Sequence, residues 1–240
     1  MLKIVLNKNI IRKIYRVLNR KIFLLKFSIQ KKPTSVIKMK LMGGDNFGDA
    51  VNQVFWSLIT NKKILRDSSS EHFITTGSIM NLVKSNSIVF GTGFISENGD
   101  LGGGNYRSKS NKKNVIPKEV ISVRGPRTRK KLLNFNINCP ENYGDPLILL
   151  PCIYPVKKHH ENKLVGIIPH YIDKNVKLLQ NLKSSLNKDG YKVKIISIEI
   201  SSNYKSLINQ INNCEYIISS SLHGIIAGYI YQKKTIFLEF

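Results

Sequence analysis

Disulfides and zinc are the first things the chain has little means to make. Its three cysteines, Cys139, Cys152 and Cys214, stand far apart, with no Cys-x-x-Cys pair and no histidine at zinc-site spacing. No structural metal and no cofactor are expected, and a reducing, cytoplasmic location is. Apolar runs are short: none approaches the roughly 20 residues that span a bilayer. Ile22 to Phe27 is interrupted by Lys26 and no small-residue cleavage site follows it, which argues against a signal peptide. Acidic residues are also scarce, 15 against 38 Lys and Arg, for a net charge of +23. Twelve of those basic residues and none of the acids fall in the first 40 positions, so the imbalance is concentrated there. Elsewhere lysines lie on ordinary helix surfaces such as 174–188, and charge alone names no polyanionic partner.

The basic N-terminus has a pattern. Over residues 8–27, Ile11, Ile14, Tyr15, Leu18, Ile22 and Leu25 recur at three- and four-residue spacing with Arg12, Lys13, Arg16, Arg20 and Lys21 between them. This predicts a basic amphipathic helix over residues 1–32. Such a helix can lie on an anionic membrane, where apolar burial and about 1 kcal/mol per basic residue act together. It can equally dock on the protein as an extra helix, and both readings stand. Nucleic acid is the weaker partner, because the basic residues share their helix with a broad apolar face and lack aromatic interleaves.

From Pro33 onward the sequence alternates between short β-rich runs and helical periods, which predicts an α/β fold with parallel sheets. A strand over 34–41 leads into Gly43-Gly44-Asp45-Asn46-Phe47-Gly48-Asp49 and a helix. Its glycine spacing is neither the dinucleotide fingerprint nor a P-loop. Asp45 and Asp49 can cap the helix, or bind and deprotonate a sugar hydroxyl. A short helix is predicted over 72–83, after a polar segment 61–70. A strand over 87–90 follows and ends in Gly91-Thr92-Gly93. Residues 97–114, rich in Gly, Ser, Asn and Lys, read as a surface loop. A strand over 119–123 runs into Arg124-Gly125-Pro126, with proline placed to open a helix. Arg124 then sits at a strand's C-terminal edge, where doubly wound sheets bind ligands and a guanidinium fork suits phosphate or carboxylate. Arg127 and Arg129 read as solvated helix charge.

After a linker at 151–162, strands at 163–168, 191–198, 215–219 and 235–239 alternate with helices at 173–187, 203–213 and 223–231. The turn after the first of these strands carries His170. The turn after the third is Ser219-Ser-Ser-Leu-His223-Gly224. A strand ending at a helix N-terminus gathers free N–H groups and the positive end of the helix dipole, which favours an anion. A serine-capped helix with a locally bonded histidine is the plainer alternative at that turn.

Five segments in this order, Gly44-Asp-Asn-Phe-Gly-Asp49, Gly91-Thr-Gly93, Ser122-Val-Arg-Gly-Pro126, Gly144-Asp-Pro146 with Ile168-Pro-His170, and Ser219-Ser-Ser-Leu-His-Gly224, resemble the polysaccharide pyruvyl transferase family over residues 36–240. The resemblance implies two Rossmann-like domains of GT-B-like architecture, here 33–155 on the acceptor side and 160–240 on the donor side. It implies transfer of the carboxyvinyl unit of phosphoenolpyruvate to a sugar of a bacterial surface polysaccharide, with a glycan or lipid-linked oligosaccharide as acceptor and phosphate released. It assigns His223 as proton donor and Asp49 as the aspartate that orients or deprotonates the acceptor. Arg124, His170, Ser221, Gly224, Asp45, Asn46, Gly91 and Gly93 become substrate-binding residues. Two departures accompany it: Ser221 stands where many members carry Arg, and the chain stops at Phe240, short of the helices with which the family usually continues. The alternatives are a GT-B-like glycosyltransferase using a nucleotide sugar and a non-catalytic member of a polysaccharide assembly, placed in the cytoplasm or peripherally on the inner membrane face.

Overall fold

A computed structural model describes residues 36–41, 47–97, 101–102, 115–156, 161–170, 173, 175, 177–198 and 204–239, with only the backbone path at 47–50. The basic helix expected over residues 1–32 lies outside these, as do Asp45, Asn46 and most of the loop 97–114. Strands β1 (Val36–Lys40), β2 (Lys63–Arg66), β3 (His72–Ile74), β4 (Ser87–Phe90) and β5 (Glu119–Ser122) form one sheet, in the order β2-β1-β3-β4-β5. Helices α1 (Phe47–Thr60) and α2 (Pro126–Asn134) accompany them. A second sheet contains β6 (Leu164–Ile168), β7 (Lys192–Ile195), β8 (Tyr216–Ser219) and β9 (Lys234–Phe237), in the order β7-β6-β8-β9. Helices α3 (Lys177–Lys188), α4 (Tyr204–Asn213) and α5 (Leu222–Ile230) connect its strands. Every pairing among the described residues is parallel. The chain divides into two compact units, one holding Asn52–Leu147 together with β1, the other Ile148–Phe240 together with the start of α1, up to Val51.

The local sequence explains most of these elements. In β1, Ile37 and Met39 are buried while Val36, Lys38 and Lys40 are partly exposed, the two-residue alternation of a strand with one covered face. Helix α3 turns Leu179, Leu182 and Leu186 onto Val165, Ile167 and Ile218, the spacing of an apolar helical stripe. Two expectations are corrected. The segment 61–70 contains β2, and the helix expected over 72–83 is strand β3 followed by a single 3-10 turn, Met80–Leu82. Ile79, Met80 and Val83 do have helix-like spacing, and Ile74, five residues before Ile79, does not continue it. They reach a common core with Val89 and Leu132 by different routes, because β3 is hydrogen-bonded between β1 and β4.

His72 shows how that register is fixed. It pairs with Ser87 across β3 and β4 and is almost wholly buried. Its Nδ1 lies 2.8 Å from the Ser70 carbonyl, which can only accept, so Nδ1 carries the proton and Nε2 accepts from Ser87 Oγ at 2.9 Å. Desolvation lowers its pKa.

Both sheets begin the same way: the second strand lies on one side of the first and the third on the other. That reversal leaves a crevice at the strands' carboxyl ends, where open α/β sheets bind ligands. In the first unit it falls between β1 and β3, and in the second between β6 and β8. No helix among the described residues is long and apolar enough to cross a membrane.

Candidate functional site

In the second unit the crevice is framed by the loop after β6, which carries His170 and Asp173, and by the turn after β8, which carries Ser220 to Gly224. The two are laced together. Ser219 Oγ donates to the Ile168 carbonyl at 2.6 Å and accepts the Ser221 N–H at 3.0 Å. The His170 N–H donates to Ser220 Oγ at 2.9 Å, Ser220 Oγ donates to Asp173 Oδ2 at 2.6 Å, and the Asp173 N–H returns to the His170 carbonyl at 2.8 Å. Three hydrogen bonds thus close a ring across the two strand ends.

Helix α5 starts from this turn. Ser221 is its N-cap in extended conformation and buried, yet its side chain makes no capping hydrogen bond. The serine-cap alternative therefore fails in its usual form, and the first-turn N–H groups are left without that acceptor. His223 lies in this turn, half-buried, with Nε2 buried and without a hydrogen-bond partner among the described residues. A buried ring nitrogen left so is costly unless something else occupies it. Gly224 has a packing reason: a Cβ there would meet Ser219 Oγ at 2.2 Å and Ile168 Cγ2 at 2.8 Å. The absent side chain lets α5 close onto the ends of β6 and β8.

In the first unit a second group forms beyond β4 and β5. Arg124 donates from Nη1 to Ser78 Oγ at 2.6 Å and from Nη2 to the Phe94 carbonyl at 2.8 Å. A guanidinium has five N–H donors, and the remaining ones have no partner among the described residues. Burial lowers its pKa and the Asp145 carboxylate opposes that; a guanidinium stays charged throughout. Gly93 makes room for it, since a Cβ would lie 2.9 Å from Arg124 Nε and Nη2. Gly91 has φ +85°, and a Cβ there would strike Pro146 Cδ at 2.5 Å, so this glycine lets the Gly144-Asp145-Pro146 segment pack on the loop. Arg127 is exposed, as expected. Arg129 is not solvated charge: it is half-buried, donates to the Cys139 carbonyl at 2.9 Å and pairs with Glu141.

Each unit therefore collects its own share of the expected residues: His170, Ser221, His223 and Gly224 in one, Gly91, Gly93 and Arg124 in the other. Asp49 falls in the first turn of α1, at the C-terminal side of β1, while Asp45 and Asn46 lie outside the described residues. Ser78, Asp173 and Ser220 were not anticipated. A cavity of about 570 Å³ in the first unit is lined chiefly by residues that precede β3 and β4, among them Ser68, Lys84 and Asn86, together with Lys40. It does not include the Arg124 group.

The sequence profile of the family described as Polysaccharide pyruvyl transferase matches residues 6–239, nearly the whole chain. The chain belongs to the polysaccharide pyruvyl transferase family. A relative from Acanthamoeba polyphaga mimivirus, described as "Uncharacterized protein L143", is 29% identical over 189 residues, which are 75% of this chain and 59% of the relative. The chain thus spans about three-fifths of that relative's length. No solved structure matches. The family is one of transferases, and membership in it accords with the α/β fold of two parallel sheets.

Proposed function

We propose that the chain transfers a pyruvyl group from phosphoenolpyruvate to a sugar of a surface polysaccharide, forming a ketal and releasing phosphate. The observation that carries this reading is His223 Nε2, buried without a partner among the described residues, in the first turn of a helix whose N-cap side chain makes no capping bond, behind a switch-point crevice. The chemistry needs a proton delivered to the methylene carbon of the enol phosphate, converting it to a methyl group and leaving an oxocarbenium-like centre at the neighbouring carbon. His223 is assigned that proton, as the general acid at the crevice. One acceptor hydroxyl then adds to this centre, phosphate departs with its bridging oxygen, and a second hydroxyl closes the ketal. The two hydroxyl protons replace the proton spent and neutralise the phosphate. The α5 first-turn N–H groups and His170 hold anionic oxygens of the donor. Arg124, with donors to spare beyond Ser78 and Phe94, takes a carboxylate or phosphate, and Asp49 orients or deprotonates the acceptor hydroxyl. Asp45 and Asn46 are assigned to the acceptor as well. The two units are read as Rossmann-like domains, and residues 1–30 as a peripheral anchor on an anionic membrane.

Calorimetric titration with phosphoenolpyruvate, followed by a phosphate-release assay with candidate glycans, tests this. Saturable binding that His223→Ala and Arg124→Ala each weaken at least tenfold is the expected result. Binding of a nucleotide sugar without phosphate release from phosphoenolpyruvate would transfer the chain to the glycosyltransferase reading.

A further inference from the structure

We propose that Ser220 and Asp173 form a positioning pair that sets the His170 loop against the first turn of α5, and that anion binding at this crevice depends on it. The proposal rests on reading the crevice as the donor-anion site. Ser220 is fully engaged: its oxygen receives the His170 N–H at 2.9 Å and its proton goes to Asp173 Oδ2 at 2.6 Å. It therefore has no proton free for substrate. An O–H donated to a carboxylate at this length is a charge-assisted bond, stronger than its neutral counterpart. It also crosses the switch point, tying the loop after β6 to the turn after β8. Asp173 in turn holds the His170 carbonyl through its own N–H, at 2.8 Å. Both the N–H and the carbonyl of His170 are thus fixed by this pair, so its backbone position follows from Ser220 and Asp173.

A carboxylate beside an anion site repels the anion. Asp173 earns its place only if geometry outweighs that repulsion, which separates the two effects experimentally. Asp173→Asn keeps an acceptor for the Ser220 proton and removes the negative charge. Asp173→Ala removes both.

The test titrates the full chain and its variants with phosphoenolpyruvate and with inorganic phosphate by calorimetry. Peptide-level hydrogen exchange at His170 is followed in parallel. Ser220→Ala and Asp173→Ala are expected to weaken phosphoenolpyruvate about tenfold each. The double variant should be no weaker than either single one, because both break one ring. Ser220→Thr, which restores the hydroxyl, and Asp173→Asn should bind within about threefold of the parent. The His170 amide should lose protection in the alanine variants alone. Parent-like affinity in both alanine variants, or additive losses in the double variant, overturns the positioning pair. A parent protein that binds neither ligand overturns the donor-site reading and, with it, the role given to the pair.

Discussion

At the residue scale His72 and His223 contrast: the first ring is satisfied at both nitrogens, and the second, among the described residues, is not. His72 has an acceptor at one ring nitrogen and a donor at the other, and its burial lowers its pKa. Above an unfolded value of about 6.5 both states are neutral; below it the unfolded chain binds a proton that the folded one resists. Stability should therefore fall as pH drops through about 6.5 toward the lower folded value. Urea unfolding at pH 7.5 and 5.5 measures this, and His72→Gln should flatten that step. His223 presents the opposite case, with a buried nitrogen that nothing in the described protein engages. Leu-His-Gly spacing in the sequence pointed to His223, because the chemistry of a strand-to-helix turn is local. Ser220 and Asp173 were not legible there: one is the middle of three serines and the other looks like the start of a helix. Only the pairing of β6 with β8 brings them together.

At the element scale, α5 is held by what two of its residues lack. Gly224 and Gly228 are one helical turn apart, and a Cβ on the second would meet Thr235 Oγ1 at 2.4 Å. The pair forms a seam that lets the helix settle on β8 and β9. Alanine at either position should destabilise the protein by about 1–3 kcal/mol through overpacking. Only Gly224→Ala, in the first turn, should also weaken phosphoenolpyruvate binding. Thermal unfolding together with calorimetric titration distinguishes them. In α2, Leu132 is fully buried among Ile74, Val89 and Val123, so Leu132→Ala should cost about 2–5 kcal/mol in denaturant unfolding. The second sheet's elements were readable because each apolar run is followed by an amphipathic period. β2 was hidden because only Ile64 of its four residues is buried, and β3 because three residues are too few to show an alternation.

At the scale of the whole molecule, the two units should respond to acid at different points. His72 belongs to the first, and Asp67 there is held well below the usual carboxylate range by Lys38 and Ser69. In the second, Glu215 is lowered to about 2, chiefly by its hydrogen bond from Lys234 and then by the Lys163 N–H. A lowered carboxylate contributes stability above its unfolded value of about 4.5 that is lost as pH falls toward the folded one. Protection of β3 and β4 amides, corrected for the intrinsic pH dependence of exchange, should decline from about pH 6.5. That of β8 and β9 should hold until about pH 4.5. Simultaneous loss would contradict this assignment.

All-parallel pairing has one more consequence, for the chain as it leaves the ribosome. Among the described residues no strand is paired with its neighbour as a hairpin. Val36 waits for Lys63, Ile88 for Glu119 and Val165 for Tyr216 before a first partner on that side exists. Such distant closures slow folding and leave apolar strands uncovered during synthesis. β6, with Val165, Ile167 and Ile168 destined for burial, is then a segment that a nascent-chain chaperone would meet first in the second unit.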